Sequence, residues 1–199
     1  MEQYQSDTLE KQRIKIIIPD AGPINTLAAA GLLRLFLAPK NTEIIIIQSV
    51  FNEIIVRAPE LKSFMDEHMD RISIVKTSVC EDDQARLLRG DPLGKGRGDL
   101  AIADFILNYI DESIGNSPAL VIYEDKKLGR LHAKDGYTEK THFITTAAYL
   151  KKLEQAHIIE SFDLVWQQIT EANFSLDPSV NRLPSVEEAE SDDSFRFGF

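Results

Sequence analysis

The chain has 199 residues, 43% of them hydrophobic, with 32 acidic against 22 basic residues and a formal charge of −10. That is enough apolar material for one well-cored domain and too little for two generous ones, and the average field repels nucleic acid at long range, which counts against a passive DNA or RNA coat protein. Cys80 is the only cysteine and no apolar run approaches the roughly 20 residues that cross a bilayer; with a polar segment before Arg13 that does not suit a signal peptide, this predicts a cytoplasmic protein with no membrane partner.

Residues 1–13 lack periodicity and read as a loose arm, and Ile14, Ile16, Ile17 and Ile18 then give the β-branched, nearly continuous apolar character of a buried strand ended by Pro19 and Asp20. Residues 23–37 repeat Ile24, Leu27, Ala28, Leu32, Leu35 and Phe36 at helical spacing, weakened or divided by Gly31. A second buried strand is predicted at 43–48, with a helix from Ser49 to Arg57 that places Glu53 near its start. A short helix at 61–69 and a strand at 71–76 follow. Residues 90–98, rich in glycine, form a loop, and Asp99 opens a helix running to about Ile110. Beyond it come a strand at 119–123 with Glu124 and Asp125 at its end, a helix at 126–134, a short strand at 142–144, and helices at 146–155 and 162–172.

Strands and helices alternate, which predicts an α/β fold with a mostly parallel sheet between two helical layers, because parallel neighbours need crossover connections. The domain spans residues 14–183, and the acidic tail 184–199, with Glu187, Glu188, Glu190, Asp192 and Asp193, reads as flexible. The alternation of Phe195, Phe197 and Phe199 carries a second reading for that tail, a short strand-like docking segment.

In such a sheet the functional crevice lies outside the carboxyl ends of the strands, so acids at those ends converge although distant in sequence. Asp20 ends the first strand, Glu53 follows the second, Asp99 begins a helix after the glycine loop, and Asp125 ends a later strand. Each has a plainer role available: Asp20 as a helix cap, Glu53 and Asp99 as first-turn acids favoured by the helix dipole, and Asp125 as a turn residue. Gathered together, the four repel one another and call for compensating cations, and hard oxygen ligands suit Mg²⁺ or Mn²⁺. Such ions activate water and stabilise attacking and leaving oxygens at a phosphodiester. Asp104 lies about 140° around the helix from Asp99 and reads as solvated or supporting. Glu124 points away from Asp125 if the strand continues, and Asp125 is preferred.

The run Ile16-Ile17-Ile18-Pro19-Asp20-Ala21-Gly22-Pro23-Ile24-Asn25-Thr26-Leu27 resembles the opening of PIN-domain nucleases, in which a strand ends in Asp and enters a helix beginning Pro-Leu/Ile. The stretch from Gln48 to Ile54, Gly98-Asp99-Leu100-Ala101-Ile102-Ala103, and Tyr123-Glu124-Asp125-Lys126-Lys127 are similar to the family's next three blocks, in order. Residues 143–159 and 173–177 resemble the closing part of its toxin-like bacterial and archaeal branch, so the resemblance covers about 14–183. It implies a three-layer fold, Mg²⁺ or Mn²⁺ dependence and endonucleolytic cleavage of RNA, and, as in many relatives, an antitoxin protein partner and a homodimer. Ala21-Gly22 replace the Ser or Thr that usually follows the first Asp, and Asp99 stands where this branch more often has Glu. Asn25, Thr145 and Thr146 are available to supply the missing polar contacts, with helix capping as the other reading, and Lys95 and Arg97 to meet RNA phosphates beside Asp99, with a solvated loop as theirs.

Other chemistries fit less well. A haloacid-dehalogenase phosphatase needs a second Asp where Gly22 stands, the glycine loop lacks phosphate-loop spacing and a hydroxyl after Lys95, and His68, His132, His142 and His157 lack metal-ligand spacing. The competitor from another class is a catalytically silent PIN-like interaction module.

Overall fold

A computed structural model of the chain describes residues 12–55, 60–115, 117–124, 140–176 and 195–197. Five strands, β2 (Ile16–Pro19), β3 (Glu43–Ile47), β4 (Ile72–Val75), β5 (Ala119–Tyr123) and β6 (Thr141–Thr145), form one sheet in the order β4-β3-β2-β5-β6, every pair parallel. The inner three are runs of Ile, Val and Leu, and Ile17, Ile18, Ile47, Leu120, Val121 and Ile122 are fully buried. That burial on both faces is what a parallel sheet covered by helices demands, and the fold is a three-layer α/β/α sandwich.

Among the described residues the helices are α1 (Ala21–Ala29), α2 (Gln48–Ile54), α3 (Glu60–Glu67), α4 (Ser78–Arg89), α5 (Arg97–Asn108), α6 (Ile110–Ile114), α7 (Thr146–Gln155) and α8 (Phe162–Leu176). The predicted helix over 23–37 is two elements: α1 stops before Gly31, which takes φ +69, and a 3₁₀ turn covers Leu33–Leu37. A positive φ suits glycine because no Cβ meets the carbonyl. The helix read as ending at about Ile110 stops at Asn108, and α6 follows from Ile110. No element is predicted over 77–89, where α4 lies. It ends on Gly90, left-handed at φ +77, whose N–H donates to the Arg86 and Leu87 carbonyls.

Outside the main sheet, β1 (Gln12–Ile14) pairs in parallel with β7 (Phe195–Phe197), with Ile14 opposite Phe197. Residues 12 and 13, read as the end of an arm, are therefore part of a ladder with Ile14, and the alternation at Phe195 and Phe197 marks a strand. The helix expected at 126–134 lies outside the described residues, and among those described no helix is long and apolar enough to cross a membrane.

Two polar attachments fix the layers. Tyr149 of α7 is fully buried and its hydroxyl donates to the Leu35 carbonyl at 2.7 Å, while Gln168 of α8 donates to Ala30 at 2.9 Å. At the amino edge of the sheet, Arg71 donates to the carbonyls of Leu37, Pro39 and Thr42, which closes the loop entering β3.

Candidate metal centre

The sheet order places β2 beside β5, and their onward connections leave in opposite directions, to β3 and to β6. The carboxyl ends of such a pair open a crevice at the topological switch point. Asp20 stands immediately after β2, where its N–H donates to the Ile122 carbonyl of β5 at 2.9 Å. Glu124 stands immediately after β5. Two acids far apart in the sequence thereby meet at the carboxyl edge of the sheet.

Asp20 is buried and occupies the N-cap position of α1 without making a side-chain cap, so the capping role open to it in the sequence is not the one it fills. Burial pushes its carboxyl up to about 7; the Ala21 N–H opposes this, and the negative charges of Asp99, Glu53 and Glu124 add to it. Glu124 is partly buried, with Oε2 accepting from the Thr26 hydroxyl at 3.0 Å and Oε1 from the Thr146 hydroxyl at 2.7 Å. Desolvation raises its proton affinity, and the two hydroxyls work against that.

Glu53 and Asp99 approach from the other side. Glu53 is the sixth of the seven residues of α2, in the last turn and not near the start, so the helix dipole disfavours a negative charge there. The first-turn reading of Glu53 is thus corrected: α2 begins directly at the end of β3. Asp99 lies in the first turn of α5, after Gly96 in a left-handed conformation at φ +76. Gly98 packs flat against α2, for a Cβ there would lie 3.2 Å from Glu53 Oε2 and 3.4 Å from Val50 Cγ2. The absence of that carbon lets the carboxylate of Glu53 reach the opening of α5.

Of the four acids singled out in the sequence, Asp20, Glu53 and Asp99 interact through their charges, and Asp125 lies outside the described residues. Glu124 is the fourth member among those described. Asp104 faces elsewhere: it accepts from the Ser78 hydroxyl at 2.7 Å and the Val79 N–H at 3.2 Å, capping α4. Lys95 is exposed. The Arg97 guanidinium is held by Asp83, Asp82 and the Val79 carbonyl, which leaves little of it to meet a phosphate. Thr145 accepts the Ala148 N–H at 3.2 Å and so caps α7, while the buried Oδ1 of Asn25, on the α1 face that carries Gly22 and Thr26, has no hydrogen-bond partner. The sequence reading gives no site role to Thr26 or Asp83, because each owes its place to a partner dozens of residues away.

Among the described residues, no three His, Cys, Asp or Glu side chains stand in an arrangement that could hold a metal ion as they are. The chemistry of the donors nevertheless fits one. Asp20 is buried among three negative charges, and a hard divalent cation relieves that repulsion with the oxygen ligands it prefers.

The chain matches no family model, and neither the curated proteins nor the solved structures give a match to it.

Gly22 supplies a test of how closely the cleft is built. A Cβ there would lie 3.0 Å from both Cβ and Oε2 of Glu124, and the former is not the free end of a flexible chain. Gly22→Ala is expected to destabilise the fold by about 1–3 kcal/mol, measured by urea unfolding; an unchanged midpoint would show that Glu124 yields without cost.

Proposed function

We propose that the chain is a metal-dependent endoribonuclease in which Asp20, Glu53 and Asp99, with Glu124 beside them, hold Mg²⁺ or Mn²⁺. The observation that supports it is the meeting of these acids at the carboxyl edge of the sheet, at its switch point. The PIN-like blocks of the sequence agree with that placement.

A bound divalent cation supplies Lewis acidity at a phosphodiester and a lowered pKa for water. The chain's own part is to prepare the site. Asp20 is fixed by the strand pair beneath it, and Thr26 and Thr146 orient Glu124 by donating one proton to each of its oxygens. Glu53 and Asp99 stand at helix ends, Glu53 exposed and Asp99 partly so, from which they can close on a cation. The local charge must be neutralised for RNA to approach a chain of formal charge −10.

Cleavage of mixed single-stranded RNAs in Mn²⁺ tests this. The parent is expected to cut, EDTA to stop it, and Asp99→Asn to reduce the rate by about 100-fold or more. A second reading, the catalytically silent interaction module, is favoured by the lack of a ready-formed ligand group among the described residues. Equal inactivity of parent and Asp99→Asn, with no Mn²⁺ uptake by calorimetry, decides for that module.

A further inference from the structure

Asp83 stands on α4, yet both of its oxygens are used by other helices. Oδ2 accepts from the Ser49 hydroxyl of α2 at 2.9 Å, and Oδ1 accepts from Nε of Arg97, the first residue of α5. The Asp83 side chain is nearly fully buried and that of Arg97 is 20% exposed. A further guanidinium nitrogen of Arg97 donates to Asp82 Oδ2 at 2.9 Å and to the Val79 carbonyl at 3.2 Å, which fixes its register along α4. Ser49 has one proton to give, and Asp83 lies closer to it than the Cys80 sulfur at 3.3 Å.

Each partner of Asp83 lies within about one helical turn of a candidate-site carboxylate. Ser49 lies four residues before Glu53, one turn away on the same face of α2. Arg97 lies two residues before Asp99 in the same first turn of α5. Between them Gly98 packs against Val50 and Glu53. One buried carboxylate therefore spans the helix that carries Glu53 and the helix that carries Asp99. A buried acid with two directional donors is a stiff connection, because losing either donor strands charge away from water.

We propose that Asp83 is a positioning residue: by holding Ser49 and Arg97 together it sets the spacing at which Glu53 and Asp99 face each other. The proposal rests on the reading of these carboxylates as a cation site. It also assigns Arg97 to the scaffold and not to RNA.

The test is Mn²⁺ affinity by titration calorimetry on the full chain, for the parent, Asp83→Asn, Arg97→Gln, the double variant and Ser49→Ala. Arg71→Lys, weakened at the far edge of the sheet, serves as the control for general loss of stability. Asp83→Asn and Arg97→Gln are each expected to weaken binding roughly 10–100-fold. The double variant should be no weaker than the poorer single one, since both break the same link. Ser49→Ala should lose several-fold, and Arg71→Lys should keep parental affinity although it unfolds earlier. Parental affinity in Asp83→Asn overturns the positioning role and leaves the cation site standing. If Asp83→Asn does not fold, parental affinity in both Ser49→Ala and Arg97→Gln overturns it equally. Failure of the parent itself to bind Mn²⁺ overturns both the site and the role.

Discussion

Asp20→Asn is expected to make the protein more stable in metal-free buffer at pH 8, while lowering RNA cleavage on the order of 10³-fold. The two effects have one cause. The Asp20 carboxyl is pushed up to about 7 from 3.8 by burial and by three acidic neighbours, so its ionised form is disfavoured in the folded chain relative to the unfolded one. The stability it contributes is fully present below the unfolded value and is lost as pH rises through the folded one. The gain from Asn should therefore be absent near pH 3.5, grow across the interval between the two values, and level off above pH 7, at no more than about 4 kcal/mol. Urea unfolding of both proteins at several pH values measures it. Added Mn²⁺ should reverse the order, raising the midpoint of the parent by mass action and leaving Asp20→Asn unmoved. A variant less stable than the parent at pH 8 without metal would mean that Asp20 is not buried among like charges.

Arg71→Ala carries the largest expected loss of stability, about 3–5 kcal/mol. Its guanidinium satisfies three carbonyls, those of Leu37, Pro39 and Thr42, at distances from 2.7 Å. Among the described residues no other side chain donates to these three carbonyls. Truncation leaves these groups to water that the half-buried loop admits only in part, and it frees the entry into β3. Because Arg71 precedes β4 at the amino edge, Mn²⁺ affinity at the opposite edge should survive wherever the variant is folded. The measurement is urea unfolding, with Arg71→Lys recovering part of the loss. A change below 1 kcal/mol would show that the loop is held by its backbone alone.

What was legible in the sequence follows from what each segment buries. The runs at Ile16–Pro19, Glu43–Ile47 and Ala119–Tyr123 could be read as inner strands because both of their faces are apolar, and the parallel sheet followed from the helices between them. Helix α4 could not, since its buried positions are only Cys80 and Asp83 while Leu87 and Leu88 face solvent. An amphipathic helix is legible by its apolar stripe, and this helix buries too few apolar side chains to show one. At the candidate site, the places of Asp20 after a strand and of Asp99 in the first turn of a helix are legible in the sequence. Period-two alternation says nothing of Glu124 once the strand has ended: β5 stops at Tyr123, and the next carboxyl turns towards Thr26 and Thr146. The bond from Thr26 to Glu124 spans 98 residues, and no local pattern reports such a pair.

The central claim is that Asp20, just after β2, shares one divalent cation with acids of α2 and α5. Anomalous diffraction from crystals soaked in Mn²⁺ tests it without reference to any substrate. The expected result is a peak in the cleft with carboxylate oxygens of Asp20 and Asp99 at about 2.1 Å. An empty cleft in crystals that take up Mn²⁺ elsewhere, or Asp20 and Asp99 directed to different sides of the molecule, would contradict it.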